Sequence, residues 1–422
     1  MDLLIEGGYR LEGEVRIHGA KNAALPIVAA TLLTADECVL ENVPHIEDIR
    51  AMEAVLTSLG VSVAQDTHHR LVIRADGVRA WRTTDELATR LRGSFLVMGP
   101  LLARFGRAEA AHPGGCAIGT RPVSVDVKGF ALMGAEIAQA NGHYSAQAPR
   151  LVGRRMTLDY PSHTGTENLM MAACLADGVT VIENGSVEPE VMDLAYFLRA
   201  MGARISGAGT GIIEIEGVER LHGAVYRVMP DRLEASTFAI AAAITGGSVV
   251  LEGVIPQHLR ALNSKLMEAG VEIREEAHRV IVTGAEKMDA VDIRTFPYPG
   301  FPTDLQAPFG ALMTQALGES AIHETMYDDR LLYVGELRKM GAQIRVQGQT
   351  ALITGPTLLK GTPVRALDIR SGAAVILAGL VADGETIVSD MYYVDRGYEW
   401  FDERLAALGA RVGRKEPMTN DQ

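Results

Sequence analysis

The sequence predicts a mixed α/β chain of six similar units that divide three and three between two domains. A signature that closes a helix and opens a strand recurs six times, in Leu59-Gly60-Val61-Ser62-Val63, Met133-Gly134-Ala135-Glu136-Ile137, Met201-Gly202-Ala203-Arg204-Ile205, Ala269-Gly270-Val271-Glu272-Ile273, Met340-Gly341-Ala342-Gln343-Ile344 and Leu408-Gly409-Ala410-Arg411-Val412. A second pattern of helix end, turn and alternating strand recurs around residues 32–43, 175–185 and 381–390. Finally, a chain of 422 residues exceeds what one hydrophobic core usually serves.

Each unit reads as an apolar helix, a short strand, a turn-forming loop, an amphipathic helix and then Gly-x-x-Ile/Val opening another strand. The glycine falls where a residue in the left-handed conformation stops a helix. Such units cannot bury both faces alone and must pack on one another. The break between the two groups of three is expected at 226–232, where Pro230, Asp231 and Arg232 follow the third unit. The apolar runs at 23–33 and 373–382 are too short to span a bilayer and read as buried core helices, as does the alanine-flanked helix around Cys174. The polar residues after Arg414 are expected to be disordered.

A net charge of −13 opposes non-specific binding to nucleic acid or anionic lipid, so neither partner is expected. Cations for an anionic ligand must then be gathered locally. Three cysteines, Cys38, Cys116 and Cys174, without CxxC spacing indicate neither a disulfide framework nor a zinc site, and no His or Asp cluster has metal-ligand spacing. The acidic amino terminus lacks the bases of a signal peptide, and a reducing cytoplasm fits.

The unusual stretch is His112-Pro113-Gly114-Gly115-Cys116-Ala117-Ile118-Gly119-Thr120-Arg121-Pro122-Val123. Its glycines and prolines exclude a regular helix, so Cys116 rides on a hinged loop near Arg121. Either it is a reactive thiol or the loop is an idle surface feature. Lys21 and Asn22 lie between a strand and an apolar helix, where a lysine and backbone N–H groups can clamp an anion.

Taken together with Gly19-Ala20-Lys21-Asn22-Ala23, Leu91-Arg92-Gly93-Ser94, Thr166-Glu167-Asn168, Glu188-Pro189-Glu190, Phe301-Pro302-Thr303-Asp304 and Asp395-Arg396-Gly397, the Pro113-Gly114-Gly115-Cys116 loop resembles the UDP-N-acetylglucosamine 1-carboxyvinyltransferase family. The likeness runs over nearly the whole chain. It implies an inside-out α/β barrel of two similar lobes, each with three βαβαββ units around inner helices. One lobe would take 1–20 and 230–422, and the other 21–229 with the Cys116 loop.

The resemblance also implies transfer of the enolpyruvyl group of phosphoenolpyruvate to the 3-hydroxyl of UDP-N-acetylglucosamine, with release of phosphate. That is the committed step of peptidoglycan synthesis, on which cell shape and division depend, and it needs no cofactor. Cys116 would be the general acid, a carrier of the phospholactoyl adduct and the target of fosfomycin; Asp304 would be the base. Lys21, Arg121 and Arg396 would hold phosphoenolpyruvate. Asn22, Arg92, Arg121, Pro122, Val123, Ser124, Val125, Asp304 and Met326 would meet the UDP-sugar, with Asp48, Glu188, Arg330, Asp368 and Arg370 at further cleft positions. Closure of the lobes on the UDP-sugar is expected before chemistry.

Other readings stay open on the residues alone. Asp304 after Pro302-Thr303 can be a helix N-cap, Arg396 a surface ion pair and Arg92 a solvated helix charge. His112 and His163 read as loop residues. Val187, Tyr393, Asp126 and His163 depart from the residues usual in the family. The alternatives are a 5-enolpyruvylshikimate-3-phosphate synthase-like transferase, which lacks the cysteine loop, and a non-catalytic repeat scaffold.

Overall fold

The computed structural model describes residues 1–66, 68–111 and 123–415, the side chain of Thr89 excepted. The chain forms two compact units: one takes Met1–His18 and the chain from Pro230 onward, the other the chain between Gly19 and Met229.

All six signature glycines adopt the left-handed conformation, with φ between +94° and +101°. In each case the residue after the glycine donates its N–H to the carbonyl five residues back, as in Val61 to Leu56, Ala135 to Phe130 and Ala410 to Leu405, at 2.9–3.1 Å. This double reversal satisfies carbonyls that the helix end would leave bare. A β-carbon at φ near +100° would be strained, which is why glycine recurs there.

These glycines end the outer, amphipathic helix of each unit. Along Glu47–Ser58, for example, Asp48, Ile49, Met52, Val55 and Leu56 are buried and the rest lie nearer solvent. The preceding helices are the inner ones. Arg232–Thr245 is buried from Arg232 to Ile244, Gln306–Met313 throughout, and Ile369–Gly379 from Arg370 onward. These three pack on one another in the first unit, while Lys21–Ala30 and Met98–Phe105 pack on His163–Ala173 in the second. A helix apolar all round must be interior, and the sheets surround it.

Among the described residues the strands make five sheets of four and one of three. Each four-stranded sheet mixes antiparallel pairs with a parallel edge strand, as where Arg155–Thr157 runs parallel to Val179–Glu183 and Ile212–Glu216 antiparallel to it. The crossover helix between the parallel strands is the inner one, which gives βαβαββ. Three sheets borrow strands from far along the chain. Glu12–Arg16 is the parallel edge of Ser248–Glu252, and Val225–Arg227 that of Glu37–Glu41. Asp2–Glu6 lies between Glu385–Ser389 and Arg411–Lys415, pairing Leu4 with both Ile387 and Gly413.

Two sequence expectations change here, and a third is left untested. Lys415 belongs to a strand, and the remaining tail lies outside the described residues. His163 is the first residue of a helix, not a loop residue. His112 lies outside the described residues. The runs at 23–33 and 373–382 are buried almost throughout, Cys38 and Cys174 are fully buried, and no helix among the described residues is long and apolar enough to cross a membrane.

Candidate active site

Cys116, Arg121 and Pro122 lie outside the described residues. The other predicted residues fall into clusters within each unit.

In the first unit Asp304 sits in a single 3-10 turn, Thr303–Leu305, that leads into the inner helix Gln306–Met313. It is not a cap: the N-cap residue is Pro302, and no side chain caps the turn. Its carboxylate is held instead by two buried arginines. Arg330 donates from Nη2 to Oδ1, and Arg370 donates from Nε to Oδ2 at 3.1 Å with Nη2 also 3.1 Å away. Side-chain exposure is 6% for Arg330, 5% for Arg370 and 26% for Asp304, so the cations are fixed inside while the carboxylate keeps an open edge. Charge-assisted, forked contacts of this kind set orientation as well as energy.

Arg370 also stands 5.2 Å from the centre of the Tyr398 ring. Tyr398 is buried, stacks on Phe401 at 4.8 Å and shares a 2.9 Å hydrogen bond with Thr237 of an inner helix. Arg396, half-buried, is two residues before it, at the end of the short helix Tyr392–Asp395. Its neighbour Asp395 accepts from both terminal nitrogens of Arg414, at 2.6 and 2.8 Å. Asp368, predicted as a cleft residue, caps the helix Ile369–Gly379. Its carboxylate accepts from the backbone N–H of Arg370 and Ser371, and the Ser371 hydroxyl accepts from the Asp368 N–H. The cap therefore seats Arg370 at the helix start.

The residue that sequence reasoning missed in this unit is Glu324. It is fully buried and accepts from the hydroxyls of Thr295 and Thr303, the amide of Gln306 and the backbone N–H groups of Met326 and Tyr327. Met326 itself is at the surface, 36% exposed.

In the second unit Lys21 is the first residue of its helix, where the positive end of the helix dipole disfavours a cation. Buried Asp48 compensates, 2.7 Å from Nζ. Asn22 is half-buried beside it. Arg92 opens the 3-10 turn Arg92–Val97 and is also half-buried, which argues against a purely solvated charge.

Val123 and Val125 turn their side chains inward. A β-carbon on Gly165 would lie 2.7 Å from Val125, so this glycine allows Ser124–Leu132 to pack on His163–Ala173. The same two helices are tied by polar groups. Buried Asp126 accepts from Asn168 at 2.8 Å, and Asn168 also donates to the Phe95 carbonyl and accepts from the Gly99 N–H. Burial pushes the Asp126 carboxyl up to about 6, with Asn168 and Arg92 opposing the rise.

One turn earlier His163 meets buried Glu167 at 3.0 Å. Burial alone would lower the imidazole, but Glu167, Glu190 and Glu188 outweigh it and hold it at about 9. Glu188 is the N-cap residue of Pro189–Ala200 without capping through its side chain. The i, i+4 spacing of His163 and Glu167 was the sequence signal for this pair.

A family model described as EPSP synthase (3-phosphoshikimate 1-carboxyvinyltransferase) matches residues 5–405. The UDP-N-acetylglucosamine 1-carboxyvinyltransferase 1 of Caldanaerobacter subterraneus subsp. tengcongensis is 50% identical over 412 residues, which cover 98% of this chain and 99% of that one. The UDP-N-acetylglucosamine 1-carboxyvinyltransferase of Magnetococcus marinus is 47% identical over 414 residues, again 98% and 99%. Among solved structures, the enolpyruvyl transferase NikO from Streptomyces tendae superposes with a TM-score of 0.87 at 25% identity, over 98% of both chains. Five four-stranded βαβαββ sheets and one of three strands among the described residues, packed with buried helices, a carboxylate held by two arginines and end-to-end likeness to these proteins agree, and the chain belongs to the UDP-N-acetylglucosamine 1-carboxyvinyltransferase family of enolpyruvyl transferases.

Proposed function

We propose that the chain transfers the enolpyruvyl group of phosphoenolpyruvate to the 3-hydroxyl of UDP-N-acetylglucosamine, releasing phosphate and committing the sugar to peptidoglycan. The observation that carries this is half identity, over 98% of the chain, to a protein of that name. The six-fold repeat therefore belongs to an enzyme and not to a non-catalytic scaffold.

The chemistry needs a proton delivered to the vinyl carbon, a proton taken from the attacking hydroxyl and cations around phosphate and carboxylate. In this reading Cys116 is the acid, and its place between glycines and near Arg121 suits a thiolate nucleophile as well. It is also the residue fosfomycin alkylates. Asp304 takes the hydroxyl proton. Two buried guanidiniums fix the direction of its lone pairs, and its open edge leaves one of them for the substrate. Lys21, Arg121 and Arg396 hold phosphoenolpyruvate, and Asn22, Arg92 and the 121–125 run hold the UDP-sugar. The hydroxyl oxygen adds to the phosphate-bearing carbon as the terminal vinyl carbon takes its proton and Asp304 takes the hydroxyl proton; loss of phosphate together with one proton of the methyl group so formed then regenerates the double bond, and the steps balance without an external oxidant. A cytoplasmic setting, where both substrates and reduced thiols occur, is part of the proposal.

A second reading, transfer to shikimate 3-phosphate, is favoured by the description of the matching family model. Against it stands Pro113-Gly114-Gly115-Cys116, a loop that such synthases lack. Phosphate release from phosphoenolpyruvate separates the two: release with UDP-N-acetylglucosamine is expected, and release only with shikimate 3-phosphate overturns the assignment.

A further inference from the structure

We propose that Glu324 is a positioning residue that sets the aim of Asp304; this rests on the role given to Asp304 above. A carboxylate with no exposed surface is expensive to keep charged, and its contacts with Thr295, Thr303, Gln306, Met326 and Tyr327 are all to neutral donors. An apolar side chain would fill the same space at less cost, unless position is what the carboxylate supplies.

The two oxygens divide the task. Oε2 accepts from the Thr303 hydroxyl at 2.8 Å and from the Gln306 amide at 3.3 Å, gripping the turn on both sides of Asp304. Oε1 accepts from the backbone N–H of Met326 at 2.7 Å and of Tyr327 at 3.3 Å, which starts the segment that runs on to Arg330. Arg330 in turn donates to Asp304. One buried group therefore fixes both the base and the guanidinium that orients it. Oε1 also accepts from Thr295 at 2.9 Å, and the Thr295 oxygen accepts from the Thr325 N–H at 2.9 Å, so the clamp is braced from the neighbouring strand end. Neutral donors suit this role, since a cation beside Glu324 would compete with Arg330 for Asp304. A general base loses about a hundredfold when misplaced by about 1 Å, so a device fixing both members of the pair has direct kinetic consequences.

The test is a double-mutant cycle on the full chain, read by phosphate release. Glu324→Gln keeps the shape and removes two acceptor sites. The expected result is a turnover lowered by about 10- to 100-fold with the KM for phosphoenolpyruvate within about twofold, because Lys21, Arg121 and Arg396 are untouched. In an Asp304→Asn background the same change should cost less than about twofold more, since a residue acting through the base has nothing left to aim. Thr295→Val provides the same cycle if Glu324→Gln does not fold, with a loss of about fivefold that Thr295→Ser restores. Losses that multiply in the double variant, or a KM effect in place of a turnover effect, overturn the proposal while leaving the functional reading intact. A wild-type chain inactive with UDP-N-acetylglucosamine overturns both.

Discussion

Replacing Asp304 by Asn separates its two roles, as proposed base and as the counter-ion of two buried arginines. Breaking one side of a buried ion pair costs roughly 3–5 kcal/mol. Here Asp304 is 26% exposed and the asparagine oxygen still accepts a hydrogen bond from one guanidinium, so we expect a loss of about 2 kcal/mol. Urea unfolding followed by circular dichroism measures it. The kinetic effect should be larger. A missing general base costs about 10²- to 10⁴-fold in turnover, or about 3–5 kcal/mol of barrier, with much less change in UDP-sugar affinity. Asp304→Asn that unfolds earlier but turns over within a few-fold of wild type would refute the base assignment and leave Asp304 as an anchor for Arg330 and Arg370.

Fosfomycin should label Cys116 and spare Cys38 and Cys174, because burial raises both their thiols, to about 12 for Cys174; mass spectrometry that places the adduct on a buried cysteine would contradict this. Asp368→Ala removes a two-way cap and should cost about 1 kcal/mol in urea unfolding; a large rise in KM at unchanged stability would show ligand contact instead. His163 is raised from an ordinary 6.5 to about 9, so its contribution to stability is complete below pH 6.5 and is lost as pH rises through about 9. At most about 3 kcal/mol is involved, and His163→Gln should flatten the stability profile over that window; a wild-type profile already flat there would disprove the pairing.

The repeat and the helix-ending glycines were legible in the sequence because they are local. A left-handed residue, an amphipathic stripe and an alternating strand each leave a periodic trace within a dozen residues. The buried runs around Ala24 and Val375 were legible for the same reason, since a helix apolar on every side has only the interior to occupy. The motifs around Lys21, Cys116, Asp304 and Arg396 pointed to the family, but not to what each carboxylate touches.

Tertiary structure alone decided that Asp304 is gripped by arginines 26 and 66 positions away while Asp368, five residues before an apolar run, is the cap. It alone gave Glu324 its contacts, from Thr295 to Tyr327, and turned Glu12–Arg16 and Val225–Arg227 into edges of distant sheets. An Asp that caps and an Asp that accepts from arginine look alike in a sequence, because local backbone N–H groups and remote guanidiniums compete for the same lone pairs. Which donor wins depends on burial and on the direction in which the packed helices deliver it.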